Sequence, residues 1–110
     1  MVFTLLSSNV FSSTQGEINH LLQFVGLTSC KYERNGTMHT GKDAVEHINK
    51  KYEYYKDDIE TAEDFIEYSA TKSKMSGKYY LVHCNTNDPV NSKDWLLTEL
   101  ADLRKSIKQD

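Results

Sequence analysis

Residues 30–39, CKYERNGTMH, determine the fold because they predict a β-hairpin. The dipeptide Asn35-Gly36 stands between two short predicted strands, Cys30–Arg34 and Thr37–His39, and it tolerates the positive φ angles of a tight primed turn. A further strand is predicted at Tyr79–Cys84 (YYLVHC), which is dense in aromatic and branched residues. We therefore expect a small antiparallel sheet built around this hairpin.

The two cysteines of the chain, Cys30 and Cys84, each lie at the edge of a predicted strand. They are too far apart in the sequence for a common zinc motif, whose paired ligands are typically about two to four residues apart. Two interpretations remain, a disulfide or a pair of buried thiols. The apolar start of the chain favours the disulfide, because it indicates export to a compartment where disulfides persist.

The first residues, Met1–Phe11 (MVFTLLSSNVF), are apolar and are followed by the small residues Ser12 and Ser13. This pattern is typical of the end of a secretory signal peptide, although the first lysine is Lys31 and a positively charged start is missing. Residues 1–12 are therefore interpreted as a truncated signal-peptide remnant or as an N-terminal arm. Residues 13–110 are predicted to form a single globular domain in the periplasm or outside the cell.

Capping patterns predict where four helices begin. In each pattern a Thr or Asn is followed three residues later by an acidic residue, so that side chains can hydrogen bond to the free amides of the helix start. The four starts are Thr14 with Glu17, Thr40 with Asp43, Thr61 with Asp64, and Asn91 with Asp94. Apolar residues at helical spacing follow each start. The predicted fold class is α+β, with about four helices packed on a small antiparallel sheet and one disulfide.

Composition limits the classes of function. The 110 residues are 38% hydrophobic and 26% charged, with a net charge of −3, which suits one small domain. Because basic residues are not in excess, we predict no nucleic-acid binding. No stretch reaches the roughly 18 to 20 apolar residues of a transmembrane helix, so no transmembrane segment is expected. The expected oligomeric state is a monomer or a weak dimer.

Four motifs follow one another along the chain. They are Cys30-Lys-Tyr-Glu-Arg-Asn-Gly36, Ala44-x-x-His47-x-x-x-Lys51-Tyr52, Thr61-Ala-Glu-x-Phe65-Ile66 and Ser73-x-x-Ser76-Gly77-Lys-Tyr-Tyr80. In this order they resemble the YfeK-like family of small exported bacterial proteins of unknown function. The resemblance covers roughly residues 15–105 and implies a bacterial source, a cleaved signal peptide and a periplasmic or extracellular location. It implies no activity. Tyr79 departs from the pattern, since a proline is expected there in relatives.

Five polar residues in these segments form the candidate site. They are Arg34, His47, Glu63, Ser73 and Ser76. One hypothesis is a structural polar cluster that joins the second helix, the hairpin and the loop before the last strand. The other is a small hydrolase in which His47 activates Ser73 or Ser76, with Glu63 as the third member of a triad. Arg34 is further expected to pair with the acidic stretch Asp57–Asp64 or to clamp a carboxylate.

No metal site and no cofactor are predicted. The four histidines are scattered over different elements without the H-x-x-x-H spacing of a zinc-binding helix. The acidic stretch Asp57–Asp64 lacks the residue order of a calcium-binding loop.

Four tyrosines, Tyr32, Tyr54, Tyr68 and Tyr79, are candidates for an aromatic binding surface. Tyr54 lies off the buried stripe of the second helix, and the other three are expected to point outward among lysines. Tyrosine is favoured at binding sites because it buries a large area at low entropic cost. The alternative is that these rings cover a small core.

The predicted function is that of a non-enzymatic binding or interaction module of the bacterial cell envelope, whose partner is an envelope protein or a small ligand. The hydrolase described above is one alternative. Another is an immunity or inhibitor protein against a secreted toxin, which would present a protruding loop with unsatisfied polar groups at its tip.

Overall fold

The computed structural model describes residues 13–85 and 87–109. The segment predicted to be a signal remnant or arm, residues 1–12, lies outside the described residues. In the described part the helices and strands follow the order α1 (Thr14–Leu27), β1 (Lys31–Arg34), β2 (Thr37–His39), α2 (Gly41–Tyr55), α3 (Ala62–Ser69), β3 (Leu81–His83), β4 (Val90–Asn91) and α4 (Ser92–Gln109). A short 3-10 turn, Lys56–Asp58, follows α2. The predicted α+β class is confirmed.

The four strands form one antiparallel sheet in the order β2-β1-β3-β4. Asn35 and Gly36 adopt φ angles of 54° and 82°, as a primed turn requires, so the predicted hairpin is confirmed. Strand β3 is shorter than predicted, because the amide of Tyr80 donates to the carbonyl of Thr71 instead of to a sheet neighbour. Strand β4 was not predicted.

The predicted disulfide is confirmed. Because Lys31 is paired with His83 across β1 and β3, the next pair outward is Cys30 opposite Cys84. Their Cα atoms are 4.5 Å apart and their sulfur atoms are bonded. The bond therefore closes the end of the two central strands.

Two of the four predicted helix caps, those at Thr40 and Thr61, are confirmed. Thr40 accepts a hydrogen bond from the amide of Asp43, and Thr61 and Asp64 form a reciprocal capping box. The prediction for α1 is wrong by one residue, since Ser13 caps this helix by accepting from the amide of Gly16 at 2.9 Å. Glu17 does not complete a capping box with Thr14, because its carboxylate binds Arg104 on α4.

The core lies between the helices and one face of the sheet. Its central side chains are Ile18 and Leu21 of α1, Ile48 of α2, Phe65 and Ile66 of α3, Val82 of β3, and Leu96 and Leu100 of α4. No helix within the described residues combines the length and apolar character needed to cross a membrane.

Tyr32 belongs to this core, contrary to the prediction that it points outward. It is only 3% exposed, because its position on β1 places it on the same sheet face as Val82, which the helices cover. Its hydroxyl group hydrogen bonds with Ser92 at 2.9 Å, and its ring meets Trp95 edge-on. Burial raises the pKa of this phenol.

Arg104 joins three helices through two carboxylates. Its guanidinium donates two hydrogen bonds of 2.9 Å to Glu17 of α1 and bonds of 2.6 and 3.1 Å to Glu63 of α3. These contacts lock the C-terminal half of α4 against the rest of the helical layer.

Candidate functional site

A groove of about 350 Å³ lies between α2, the turn of the hairpin and the loop of residues 72–79. We call it the basic groove, and it is lined by Arg34, Asn35, His47, Lys50, Lys51, Tyr54, Tyr55, Ser73, Lys74, Met75 and Tyr80. Basic and aromatic side chains dominate this lining, and no acidic side chain of residues 13–85 or 87–109 contributes to it. Asp43 lines a much smaller cavity that shares Arg34, His47 and Tyr80 with the groove.

Helix periodicity and strand register bring these residues together. His47, Lys51 and Tyr55 recur at intervals of four along α2, so they share one side of the helix. Arg34 ends β1 two residues after Tyr32, so it lies on the sheet face that packs against α2. Its guanidinium is thus held near the imidazole of His47.

The loop of residues 72–79 is held against the hairpin by two serines. The Ser76 hydroxyl donates to the Asn35 side-chain carbonyl at 2.6 Å, and the Ser73 hydroxyl accepts from the amide of Ser76 at 3.3 Å. The loop also closes on itself, since the amide of Ser73 donates to the carbonyl of Lys78 and the amide of Gly77 donates to that of Ser73. Both serine hydroxyls therefore serve the loop and the hairpin turn.

A chain of three hydrogen-bonded side chains lies at the base of the groove. The Lys51 ammonium donates to the Tyr80 hydroxyl at 3.1 Å and to the carbonyl of Lys72 at 2.8 Å. The same hydroxyl lies 3.2 Å from Nε2 of His47. Because Lys51 donates to the phenol oxygen, Tyr80 can donate its own proton to a neutral His47, and all three groups are then satisfied. Burial raises the pKa of the Tyr80 phenol.

The electrostatics of the groove are strongly positive. Burial and then the charges of Arg34 and Lys51 lower the pKa of His47 to about 4. Burial and then the charges of Arg34 and Lys74 also lower the pKa of Lys51. At neutral pH, His47 is thus a neutral hydrogen-bonding group surrounded by cations.

The four cations of the groove have no carboxylate partner among the described residues. Arg34, Lys50, Lys51 and Lys74 take part in none of the ion pairs formed by residues 13–85 and 87–109. Arg34 therefore does not pair with the acidic stretch Asp57–Asp64. No carboxylate of the described residues therefore neutralises the positive charge of the groove.

The structure brings together four of the five predicted polar residues. Arg34, His47 and Ser73 line the basic groove, and Ser76 lies beside it through its bond to Asn35. Glu63 lies elsewhere, because its carboxylate binds Arg104 on α4. The predicted five-residue cluster therefore divides into a groove and a helix clamp.

Sequence reasoning missed Asn35, Lys51 and Tyr80 as members of the site. Signals for the last two were present, because Lys51 follows His47 at helical spacing and Tyr80 ends the last of the four motifs. Asn35 was assigned to the turn alone, although its side chain also binds Ser76.

Three of the four predicted surface tyrosines are exposed. Tyr54 is 77% exposed at the rim of the basic groove, and Tyr68 and Tyr79 are 40% and 55% exposed. Tyr54 and Tyr68 are connected through Tyr55, whose ring centroid is 4.8 Å from that of Tyr54 and 5.4 Å from that of Tyr68. Tyr79 instead lies beside the ammonium of Lys72.

The described residues contain no group of three or more His, Cys, Asp or Glu side chains arranged to hold a metal ion. The lining of the basic groove contains one such residue, His47. The cationic side chains that line the basic groove suit the binding of an anion.

Comparison with known proteins identifies the family. Residues 12–104 match a family of unknown function, DUF5329. The uncharacterized protein YfeK of Salmonella typhimurium is 32% identical over 74 residues, which are 66% of this chain and 62% of that relative. The chain therefore spans less than two thirds of the length of this relative. No solved structure matches the chain. The resemblance predicted from the four motifs is confirmed, and the chain belongs to the DUF5329 family of unknown function.

Proposed function

We propose that this protein is a non-enzymatic binding module of the bacterial cell envelope and that its basic groove binds an anionic ligand. The observation that carries the proposal is a set of four cations, Arg34, Lys50, Lys51 and Lys74, that share one groove and form no ion pair with the described residues, in a chain whose net charge is −3. Cations concentrated in a cleft attract anions and raise their local concentration.

The pKa shifts in the groove support this proposal. Burial and then like charges disfavour the protonated forms of Lys51 and His47, so the groove holds its charges at a cost in free energy. An anion would offset this repulsion and would accept hydrogen bonds from Arg34 and the lysines. Arginine is well suited to such a contact because its planar guanidinium can bind carboxylate or phosphate oxygens in pairs.

The contacts of the two serines favour binding over the hydrolase alternative. A hydrolase would need His47 hydrogen bonded to Ser73 or Ser76, whereas His47 bonds with Tyr80 and Ser76 donates to Asn35. The toxin-inhibitor alternative requires a loop tip with unsatisfied polar groups. The tip residue Met75 is apolar and 99% exposed, which suits contact with the apolar part of a ligand.

The disulfide supports a location in the periplasm or outside the cell. Disulfides such as that between Cys30 and Cys84 persist in oxidising compartments and are rare in the bacterial cytosol. The apolar residues of Met1–Phe11 support the same location.

Titration of the ¹⁵N-labelled protein with sulfate, followed by amide chemical shifts, tests the proposal. We expect saturable shifts at residues lining the basic groove, and we expect Arg34→Gln to weaken the affinity at least several-fold. Lys105→Gln, which removes an exposed cation of α4 outside the groove, is the matched control and should bind sulfate like the parent. Shifts that do not saturate, or equal weakening by both variants, would refute an anion site in this groove.

A further inference from the structure

The basic groove has an aromatic wall beside its cations. Tyr54 and Tyr55 follow one another at the end of α2, with their rings edge to face and their centroids 4.8 Å apart. Tyr55 in turn packs against Tyr68 of α3, which fixes its position. Tyr54 is 77% exposed, so a large part of its ring is free to contact a ligand.

The loop of residues 72–79 contributes Lys74 and Met75 to the groove beside this aromatic wall. The Lys74 ammonium lies 5.2 Å from the centre of the Tyr55 ring, a cation–π distance, and Met75 next to it is almost completely exposed. Methionine adapts its shape to apolar partners and makes favourable contacts with aromatic rings. A flat apolar group could therefore lie between the tyrosines and the tip of the loop.

The number of charges in the groove indicates which anion it would hold. Within the part of the chain that the structure describes, four cations and no carboxylate line the groove. One negative charge would therefore leave most of the repulsion between these cations in place, whereas a dianion would offset more of it. A phosphate monoester carries about 1.5 to 2 negative charges at neutral pH and has three acceptor oxygens. Arg34 and Lys51 could each donate to a different oxygen of this group.

We propose that the ligand of the basic groove is a small phosphate monoester borne on a planar ring. This inference rests on the proposed anion-binding function and specifies its ligand. The phosphate would lie among Arg34, Lys51 and Lys50, and the ring would lie against Tyr54 and Met75. The groove volume of about 350 Å³ is at the lower end of the range of small-molecule sites, roughly 300–1,000 Å³, so a single ring with its phosphate is of a suitable size.

The experiment compares phenyl phosphate, inorganic phosphate and benzoate by calorimetric titration of the protein with its disulfide intact. Phenyl phosphate should bind roughly three- to tenfold more tightly than inorganic phosphate, the gain expected from one aromatic contact. Benzoate has the ring but a single charge, and it should bind more weakly than phenyl phosphate. Tyr54→Ala should remove most of the preference for phenyl phosphate over inorganic phosphate.

The matched control is Tyr79→Ala, which removes an exposed tyrosine that does not line the groove. It should keep the parent's preference. If the parent protein bound phenyl phosphate and inorganic phosphate with equal affinity, the proposed ring contact would be wrong, whereas the proposed anion site would still be supported. If benzoate bound as tightly as phenyl phosphate, the proposed preference for a phosphate group would be wrong. If none of the three probes binds, both this inference and the proposed function fail.

Discussion

Replacing Arg104 by methionine should destabilise the fold strongly, because it breaks the clamp between three helices. Methionine keeps much of the length and apolar contact of the arginine side chain but removes its charge and its donors. The four hydrogen bonds to Glu17 and Glu63 are lost. The two carboxylates differ in burial, since the side chain of Glu17 is 9% exposed and that of Glu63 is 49% exposed.

The magnitude follows from this difference. An unpaired carboxylate as buried as Glu17 costs about 2 to 3 kcal/mol when its charged partner is removed. The exposed pair with Glu63 adds less than about 1 kcal/mol. For a chain of 110 residues, the entropy of unfolding is roughly 0.2 kcal/mol per degree at the midpoint. Arg104→Met should therefore lower the melting temperature by roughly 10 to 15 °C.

Thermal unfolding followed by circular dichroism at neutral pH measures this change. The control is Lys93→Ala, which removes an ion pair to Glu67 whose two side chains are 44% and 51% exposed. Because solvent screens an ion pair this exposed, the control should lower the melting temperature by only a few degrees. If Arg104→Met melted within a few degrees of the Lys93→Ala variant, the buried Glu17 pair would not stabilise the fold as argued.

Three further predictions concern stability. Titration of the denatured, unreduced protein should detect no free thiols, and two reactive thiols would contradict the disulfide. Replacing Cys30 and Cys84 by serine should lower the free energy of unfolding by about 4 kcal/mol, because the disulfide joins residues 54 positions apart in the sequence. The hydrogen bond from Arg104 lowers the pKa of Glu63, so the contribution of this ion pair to stability is present above the unfolded pKa of about 4.3 and is lost as the pH falls through the lower folded value. Unfolding measured from pH 7 to 2 should therefore depend less on pH in Glu63→Gln than in the parent, and an unchanged dependence would count against a stabilising Glu63–Arg104 pair. Ser76→Ala should lower the melting temperature by roughly 5 °C through the loss of its 2.6 Å bond to Asn35, whereas melting at or above the parent temperature would contradict a structural role.

Local signals in the sequence predicted most of the fold. The caps at Thr40 and Thr61 and the turn at Asn35-Gly36 are each determined by residues within three positions of one another, so a single sequence reveals them. The cap of α1 was misplaced for a non-local reason. Glu17 satisfies the local capping pattern, but Arg104, far along the chain, binds its carboxylate.

Long-range contacts explain what could not be predicted at the site. Glu63 was placed with His47 because both lie in motifs of the same family, yet its partner is 41 residues away on α4. Tyr32 was expected outside because a short strand does not reveal which face the helices cover. By contrast, the proximity of His47 and Lys51 follows from helical spacing and was open to prediction.

The pKa of His47 with and without a bound anion is the most direct test of the central claim that the basic groove is an anion site. It can be measured from the imidazole resonances of His47 by NMR as the pH is varied, first in chloride alone and then with saturating sulfate. Burial and the neighbouring cations hold the pKa at about 4 in the free protein, and a bound dianion would stabilise the protonated ring. We predict that sulfate raises this pKa clearly and that Arg34→Gln reduces the effect. A His47 pKa that is the same with and without sulfate would contradict the account.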